Sequence, residues 1–194
     1  MSKNVLALLA EGFEEVEAVT PIDYLRRAGI EVTVAAVNEG LTVRGSHGIR
    51  VVADASLDEL AGNGKLKPSF WDGVVVPGGF PGADNLAASK KVVEFLRGMA
   101  ESGKLVAAIC ASPARVLSPL GLLAGKKFTC YPGEEKNIEP SHWTGAEWKE
   151  DRVIVDGNLV TSRGAGTSGE FAAAIIGKLA GQEEAKKLAA KVLL

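Results

Sequence analysis

Short apolar runs alternate with helical patterns along the chain. Such runs cover Asn4 to Leu9, Glu31 to Val37, Gly73 to Val76 and Lys104 to Ile109. Runs of this length are typical of strands that are buried on both faces, as in parallel sheets, and they are too short for buried helices. The alternation of strand and helix patterns therefore predicts an α/β fold.

The helical patterns place apolar residues about one turn apart on one face. Between Glu14 and Ala28 these include Val16, Val19 and Ile22, and Gly29 follows where a helix cap is expected. Further helices are predicted over Lys90 to Ser102, from Pro113 onward, and over Ser168 to Ala180. Helices between successive strands favour a doubly wound, mostly parallel sheet with helices on both faces.

Two pairs of short strands carry hairpin signals. Arg152 to Val155 and Leu159 to Ser162 flank an Asp-Gly turn, which predicts a small antiparallel β-hairpin. A second pair is predicted within Leu41 to Ala53, with its turn at Gly45 to Gly48. The chain of 194 residues contains no internal repeat and no low-complexity linker, so we expect a single domain over residues 1–194.

Charge and composition disfavour several functional classes. The chain has 22 basic and 24 acidic residues, a balance without the positive charge that attracts nucleic acids or anionic membranes. Its first apolar run, Val5 to Ala10, is too short for a membrane span or the core of a signal peptide, which predicts a cytoplasmic protein. Two cysteines form at most one disulfide, so the sequence favours thiol chemistry over a disulfide scaffold.

Glycine is in excess, with 23 residues, and two of these glycines come just after a predicted strand. In open α/β sheets, ligands bind beyond the carboxyl ends of the strands. Gly78 and Gly79 lie there, where successive backbone N–H groups can form an anion-binding nest or an oxyanion hole. An ordinary tight turn is the alternative. No Lys-Ser or Lys-Thr pair follows, which argues against a phosphate-binding P-loop.

Cys110 occupies the corresponding place after the strand that ends at Ile109. Ser112-Pro113 signals a helix start just beyond it, so the thiol is predicted to lie on a sharp strand-to-helix turn, the geometry of a nucleophile elbow. A helix N-terminus at this point would lower the pKa of the thiol. The alternative is a buried structural thiol, and this is how we interpret Cys130, which lies within a strand pattern.

Carboxylates cluster after the first strand, at Glu14, Glu15 and Glu17. Glu14 and Glu15 are equally well interpreted as helix caps or as site residues, because acidic side chains commonly complement the first turn of a helix. Glu17 lies about 100° off the apolar stripe of its helix, one residue's rotation, and could therefore reach the strand ends. In the Gly-rich loop near residue 165, Thr167 or Ser168 is interpreted as a helix N-cap.

Four motifs together resemble the DJ-1/PfpI superfamily, and in particular its DJ-1-like branch: EGFEEVE, VVVPGGFPGADNL, AAICASP and TSRGAGTSGEFA. Their order and separations match over nearly the whole chain. The resemblance implies a flavodoxin-like sandwich of the class I glutamine amidotransferase type. It implies that Cys110 is the reactive cysteine and that Glu17 is the glutamate that hydrogen-bonds it. The oxyanion and binding residues that it implies are Gly78, Gly79, Ala111 and Arg163, the last for an anionic group.

The chain departs from the family pattern at three positions. Tyr131 stands where well-known members have a histidine near the cysteine, so a Cys–His pair is not expected. Ala111 stands where PfpI-type peptidases have a histidine, which disfavours peptidase activity. His47 follows the Gly45-Ser46 turn, where the family has a basic residue near a dimer-facing entrance. Tyr131 and His47 are therefore further candidate site residues.

The resemblance implies a cysteine enzyme of the glyoxalase or deglycase type, which needs no cofactor and no metal and acts on small reactive carbonyls or glycated groups. In that chemistry a Cys110 thiolate attacks the carbonyl and a protonated Glu17 moves a proton, because the two groups share one proton. The alternative is an oxidative-stress sensor or chaperone in which Cys110 becomes a sulfinate without turnover. A homodimer through the first helix is also implied, with Val16 and Ile49 as candidate contacts.

Overall fold

A computed structural model describes residues 3–38 and 40–194 of the chain. The strands are β1 (Asn4–Leu9), β2 (Glu31–Ala36), β3 (Thr42–Arg44), β4 (Arg50–Val52), β5 (Ala55–Ser56), β6 (Gly73–Val76), β7 (Leu105–Ile109), β8 (Lys127–Phe128), β9 (Glu147–Trp148), β10 (Val153–Asp156) and β11 (Leu159–Ser162). The helices are α1 (Glu15–Arg27), α2 (Leu57–Gly62), α3 (Gly82–Ala88), α4 (Lys90–Glu101), α5 (Ser168–Leu179) and α6 (Gln182–Val192), and a short π-helix covers Pro113–Leu117.

Seven strands form one sheet in the order β10-β11-β7-β6-β1-β2-β5. All neighbouring pairs are parallel except β10 and β11, which form an antiparallel hairpin at one edge. In the register of β1, Val5 lies opposite Val32 of β2 on one side and Gly73 of β6 on the other. The arrangement confirms the predicted mostly parallel sheet with its small hairpin.

Helices cover the sheet, which explains why its strands are so apolar. α1 packs against α5, and α4 packs against α3, while α4 and α5 also contact β7. The side chains of the inner strands are almost completely inaccessible, among them Leu8, Val75 and Ile109. Burial of apolar surface, at about 25 cal/mol per Å² removed from water, is the dominant favourable contribution to folding.

Some elements differ from the sequence patterns or were not indicated by them. The helix expected from Pro113 is a π-helix that ends at Leu117 and is followed by a 3-10 turn to Leu120. The second predicted hairpin is present as β3 and β4, which form a separate two-stranded sheet. The helices α2, α3 and α6 are additional. Within residues 3–38 and 40–194, none of the helices has the length and apolar character needed to cross a membrane.

Candidate active site

Cys110 lies on a sharp turn between β7 and the π-helix. Its φ of 65° is in the left-handed region, which residues other than glycine rarely adopt. Its backbone N–H donates to the Ser162 carbonyl at 2.9 Å, and its carbonyl accepts from the Tyr131 N–H at 2.8 Å. These two bonds hold the strained backbone in place. The residue is 7% exposed, so the thiol at the carboxyl end of β7 is nearly, but not completely, buried.

Backbone donors surround the sulfur of Cys110. The N–H groups of Gly79 and Ala111 hydrogen-bond to Sγ. The N–H of Gly78, for which an oxyanion role was expected, donates instead to Oε2 of Glu17 at 3.0 Å. Donors directed at sulfur favour its anionic form. The glycine turn after β6 therefore contacts the thiol through Gly79 and the carboxyl group through Gly78.

Glu17 lies in the first turn of α1, and its side chain points toward the strand-to-helix turn at Cys110. The Glu14 carboxylate accepts the Glu17 N–H at 2.7 Å, as an N-cap side chain does. Glu17 is 1% exposed and hydrogen-bonds to the Cys110 thiol. The N–H of Ala165, in the Gly-rich loop before α5, also donates to its carboxyl group. Segments from four parts of the chain thus meet at one carboxyl group.

The two glycines after β6 are required by close approach. A methyl group on Gly78 would lie 2.6 Å from Cβ of Cys110 and 2.7 Å from Oε2 of Glu17. Gly79 has a φ of 97°, and a methyl group there would lie 2.6 Å from the carbonyl carbon of Phe13. Both sets of distances are shorter than van der Waals contact. A larger residue at either position would displace the thiol and carboxyl pair or the loop before α1.

Cys110 and Glu17 are two acids in one buried site. Burial raises the pKa of Glu17 to about 7. The hydrogen bond from Cys110 lowers this pKa, and the charge of Glu14 raises it. Burial and the charge of Glu17 raise the pKa of the Cys110 thiol, against the lowering expected from a helix N-terminus. Because protonation of Glu17 removes that charge, the pair carries at most one negative charge near neutral pH and titrates as a unit.

Two further candidates, Tyr131 and Arg163, have different surroundings. The Tyr131 ring lies 3.4 Å from the point where a methyl group on Gly164 would stand, and Oε1 of Glu17 is 3.7 Å from the same point. Tyr131 and the Glu17 carboxyl group therefore both lie beside Gly164. The Arg163 guanidinium donates to the Glu150 carbonyl at 2.7 Å. This bond uses one of the five N–H donors of the guanidinium, and the anion-binding role implied for Arg163 stays a prediction.

His47 belongs to a second polar cluster, which is built around Glu15. The Glu15 carboxylate is 5% exposed and accepts the N–H groups of His47 at 2.8 Å and Ile49 at 3.3 Å, with the Ser46 hydroxyl also at 3.3 Å. His47 Nδ1 lies 3.1 Å from the same carboxylate. Burial raises the pKa of Glu15, but the hydrogen bonds outweigh it and leave the pKa lowered. Glu15 thus ties the β3–β4 turn to α1.

The same cluster has the spacing of a metal site. Among the residues that the structure describes, Glu14, Glu15 and His47 form the one group of three whose ligand atoms lie within 4.8 Å of one another. The Glu15 oxygens already accept several N–H and O–H groups, and Glu14 already caps Glu17. These carboxylates therefore serve as hydrogen-bond acceptors that hold the local fold.

Two features of the site were not indicated by the sequence. The Ala165 N–H is a main-chain donor, and main-chain donors leave no pattern in residue types. Arg115, one turn after the elbow, donates to Glu134 at 2.7 Å and to Asp84 at 2.9 Å. Its position in the helix that follows Cys110 was the only signal that could have pointed to it.

Comparison with known proteins identifies relatives of this chain. A model of the DJ-1/PfpI family matches residues 3–178. The chain is 40% identical over 195 residues to Protein dj-1beta of Drosophila melanogaster, with 100% of this chain and 98% of that protein covered. It is 38% identical over 160 residues to a deglycase of Pyrococcus horikoshii, with 82% of this chain and 89% of that protein covered.

Plant relatives are longer than this chain. Protein DJ-1 homolog B of Arabidopsis thaliana is 46% identical over 192 residues, which cover 98% of this chain and 41% of that protein. Protein DJ-1 homolog A of the same plant is 44% identical, with 46% of its length covered. The chain therefore spans less than half the length of these two relatives.

Solved structures share the whole fold. The crystal structure of Drosophila melanogaster DJ-1beta has a TM-score of 0.88 at 40% identity, covering 100% of this chain and 99% of that chain. Oxidized DJ-1 of Toxoplasma gondii has a TM-score of 0.89 at 40% identity, covering 99% and 98%. These likenesses confirm the predicted flavodoxin-like sandwich.

Proposed function

The chain belongs to the DJ-1/PfpI family, and from this premise we propose that it is a cofactor-independent cysteine enzyme of the glyoxalase or deglycase type. Its substrates are small reactive carbonyls, foremost α-oxoaldehydes such as methylglyoxal, or glycated groups. The observation that supports this is the buried contact of Cys110 with Glu17, with two N–H donors at the sulfur. A thiol, a carboxyl group that shares its proton and preformed donors are what addition to an aldehyde requires.

The pair holds one proton, and the reaction begins from the form in which Glu17 carries that proton and the Cys110 thiolate adds to the aldehyde carbon. The aldehyde oxygen takes the Glu17 proton and becomes the hydroxyl group of a hemithioacetal. Glu17, now a carboxylate, removes the hydrogen of that carbon as a proton and returns it to the neighbouring carbon, while the hydroxyl proton passes to the former ketone oxygen. The product is a thioester of a 2-hydroxy acid. Water cleaves it, releasing the acid and restoring the thiol.

The pKa of Glu17 suits this alternation of roles. A group that donates and then accepts a proton works best when its pKa lies near the operating pH, and that of Glu17 is about 7. The residue after Cys110 is Ala111, so the site lacks the histidine that PfpI-type peptidases carry at that position. We therefore propose carbonyl chemistry rather than peptide hydrolysis.

The direct test is lactate formation from methylglyoxal by the purified wild-type protein. Lactate should accumulate far beyond one equivalent per protein chain. One enantiomer should be in excess on chiral chromatography, because the proton returns to carbon within a fixed site. Quenching during turnover should leave a substrate adduct on the peptide that contains Cys110. Lactate formation no faster than in protein-free buffer would overturn the proposal.

Oxidation sensing is a second candidate function, in which Cys110 becomes a sulfinate and no turnover occurs. The N–H groups of Gly79 and Ala111 that now contact sulfur, and a protonated Glu17, would hydrogen-bond the sulfinate oxygens. The two functions differ measurably. A sensor takes up two oxygen atoms at Cys110 under mild peroxide and releases no hydroxy acid.

We also propose a homodimer that forms through α1 and the β3–β4 hairpin. Val16 and Val19 of α1 are 47% and 45% exposed, and Ile49 and Val52 of the hairpin region are 59% and 69% exposed. The two elements are tied together by the bonds around Glu15. Exposed aliphatic side chains concentrated on two joined elements are typical of an interaction surface.

Sedimentation equilibrium tests the dimer. The wild-type protein should have twice the mass of the chain, and Val16→Arg should raise the dissociation constant at least about tenfold, because a buried unpaired charge opposes association. Val155→Arg is the matched control, since Val155 is 48% exposed on the edge strand β10. It should leave the dissociation constant unchanged. A monomeric wild-type protein would contradict the proposal.

The state of the cysteines favours a reducing compartment. Cys110 and Cys130 are both buried free thiols. Because disulfides persist mainly in oxidising compartments and reactive thiols in reducing ones, we propose a cytoplasmic location. Fractionation of cells that produce the full-length protein tests this.

A further inference from the structure

Two half-exposed aromatic residues, Phe80 and Tyr131, stand on the segments whose backbone contacts Cys110. Phe80 is 46% exposed and directly follows Gly79, whose N–H contacts the sulfur. Tyr131 is 48% exposed, and its backbone N–H donates to the Cys110 carbonyl. Both rings therefore stand on segments that enclose a nearly buried thiol. Together, Phe80 and Tyr131 form what we term the aromatic lip.

Arg115 fixes one ring of the aromatic lip. Its guanidinium lies 4.5 Å from the centroid of the Phe80 ring, within the range of a cation–π contact. The same guanidinium donates to Glu134 at 2.7 and 3.3 Å and to Asp84 at 2.9 Å. A planar cation held by carboxylates from two segments keeps its orientation. One face of the Phe80 ring is therefore covered, and the rest of the ring is presented in a fixed position.

Negative charge exceeds positive charge at this border. The single positive charge of Arg115 faces two carboxylates, those of Glu134 and Asp84. Glu14 adds a further carboxylate, whose charge acts on Glu17. Arg163, in the loop that also borders Glu17, directs its guanidinium to a backbone carbonyl. With the charge of Arg163 included, three carboxylates face two cations at this border, a balance that disfavours an anionic substrate relative to a neutral one.

We propose that the aromatic lip, with Phe80 fixed by Arg115, makes Cys110 selective for neutral carbonyl compounds that carry a flat apolar substituent. The inference rests on the proposed function in taking a carbonyl compound as the substrate, and it adds the substrate's charge and shape. An aryl substituent can pack against the free surface of the Phe80 ring while its carbonyl side reaches the sulfur. Aromatic pairs of this kind change rate or affinity by about two- to tenfold.

Alkylation of Cys110 by α-bromoketones tests the aromatic lip without requiring turnover. The thiolate forms a bond to the CH₂ carbon and bromide leaves with the electron pair of the C–Br bond, so no further reagent is needed. For the protein and for 2-mercaptoethanol, the rate constant for alkylation by phenacyl bromide is divided by that for bromoacetone. The value for the protein divided by the value for 2-mercaptoethanol is the measured quotient. We expect a quotient of about three to ten for the wild-type protein.

Variants of the aromatic lip should change this quotient. Phe80→Ala should lower the quotient to about one. Phe80→Leu keeps apolar bulk but has no aromatic ring, so its quotient should be only slightly higher than that of Phe80→Ala. Arg115→Lys keeps the charge but loses the planar fork, so the quotient should fall less than in Phe80→Ala. Phe70→Ala is the matched control, because Phe70 is 49% exposed and precedes β6, whereas Phe80 follows it. It should leave the quotient unchanged.

A charged reagent tests the electrostatic half of the proposal. With each rate constant divided by that for 2-mercaptoethanol, 4-carboxyphenacyl bromide should react about two- to fivefold more slowly than phenacyl bromide at low salt. Added salt should reduce this difference between the two rate constants. In Asp84→Asn, the side-chain oxygen can still accept a hydrogen bond from Arg115, but the negative charge is gone. This variant should therefore also reduce the difference between the two rate constants. Asp58→Asn, an exposed aspartate of α2, is the control.

The outcomes separate this inference from the proposed function. A quotient that survives Phe80→Ala, or a carboxylated reagent that reacts as fast as its parent, would overturn the aromatic lip. Lactate formation is not needed for either measurement. If no lactate forms but the quotient is high in the wild-type protein and lost in Phe80→Ala, then the aromatic lip stands and the proposed enzyme does not.

Discussion

The Cys110→Ala protein is expected to form lactate from methylglyoxal with a kcat/KM at least about a thousandfold below that of the wild-type protein. Alanine removes the sulfur that adds to the aldehyde. The N–H groups of Gly79 and Ala111 and the carboxyl group of Glu17 remain, but they cannot form the covalent intermediate. The measurement is an enantiomer-specific lactate assay over a range of methylglyoxal concentrations.

Cys130→Ala is the matched control for this experiment. Cys130 is a completely buried free thiol whose pKa is raised by burial to about 12. Its replacement removes one buried sulfur, at a cost on the order of 1 kcal/mol of stability, and should leave kcat/KM unchanged. Equal rates for Cys110→Ala and the wild-type protein would overturn the proposed enzyme. Selective addition of two oxygen atoms to Cys110 under peroxide would then favour the sensor.

The inner strands could be predicted because a parallel sheet imposes its burial on each strand separately. Val5 to Leu9 is buried throughout, so this run is visible in the sequence whatever lies beside it. The neighbours of a strand leave no such mark: β1 lies between β2 and β6, which no single run indicates. The edge strand β5 has two residues, Ala55–Ser56, too few to show any period.

The site was predictable only in part, for a related reason. Cys110 could be identified from its place between a buried strand and a Ser-Pro helix start, whereas the contact of Glu17 with it came from the family resemblance. Gly78 shows what the sequence does not determine. Its residue type predicts a turn with free N–H groups, but that its N–H donates to Glu17 depends on how α1 packs against the turn. Arg115 contacts side chains from separate segments, and no local pattern joins them.

Glu17→Gln is expected to lower kcat/KM for methylglyoxal by about a hundred- to ten-thousandfold while Cys110 remains reactive toward iodoacetamide. Glutamine has the shape of protonated glutamic acid, so its amide can donate to Sγ and its oxygen can accept the Gly78 N–H, which lies 3.0 Å from Oε2 of Glu17. It cannot take up and return the proton that moves between the substrate carbons. A parallel loss of turnover and alkylation would instead show that Glu17 only activates the thiol.

Glu17 also makes stability depend on pH in the direction opposite to that of a salt-bridged carboxylate. Its pKa is about 7 in the folded chain and about 4.3 in an unfolded one. Between these values the folded chain binds more protons, so the free energy of unfolding falls as pH rises from about 4 to about 7, by on the order of 3 kcal/mol. Glu17→Gln lacks this titration. In urea denaturation it should therefore be more stable than the wild-type protein above about pH 8 and lose that advantage near pH 5. The same pH dependence in both proteins would mean that the Glu17 carboxyl group has an ordinary pKa in the folded chain.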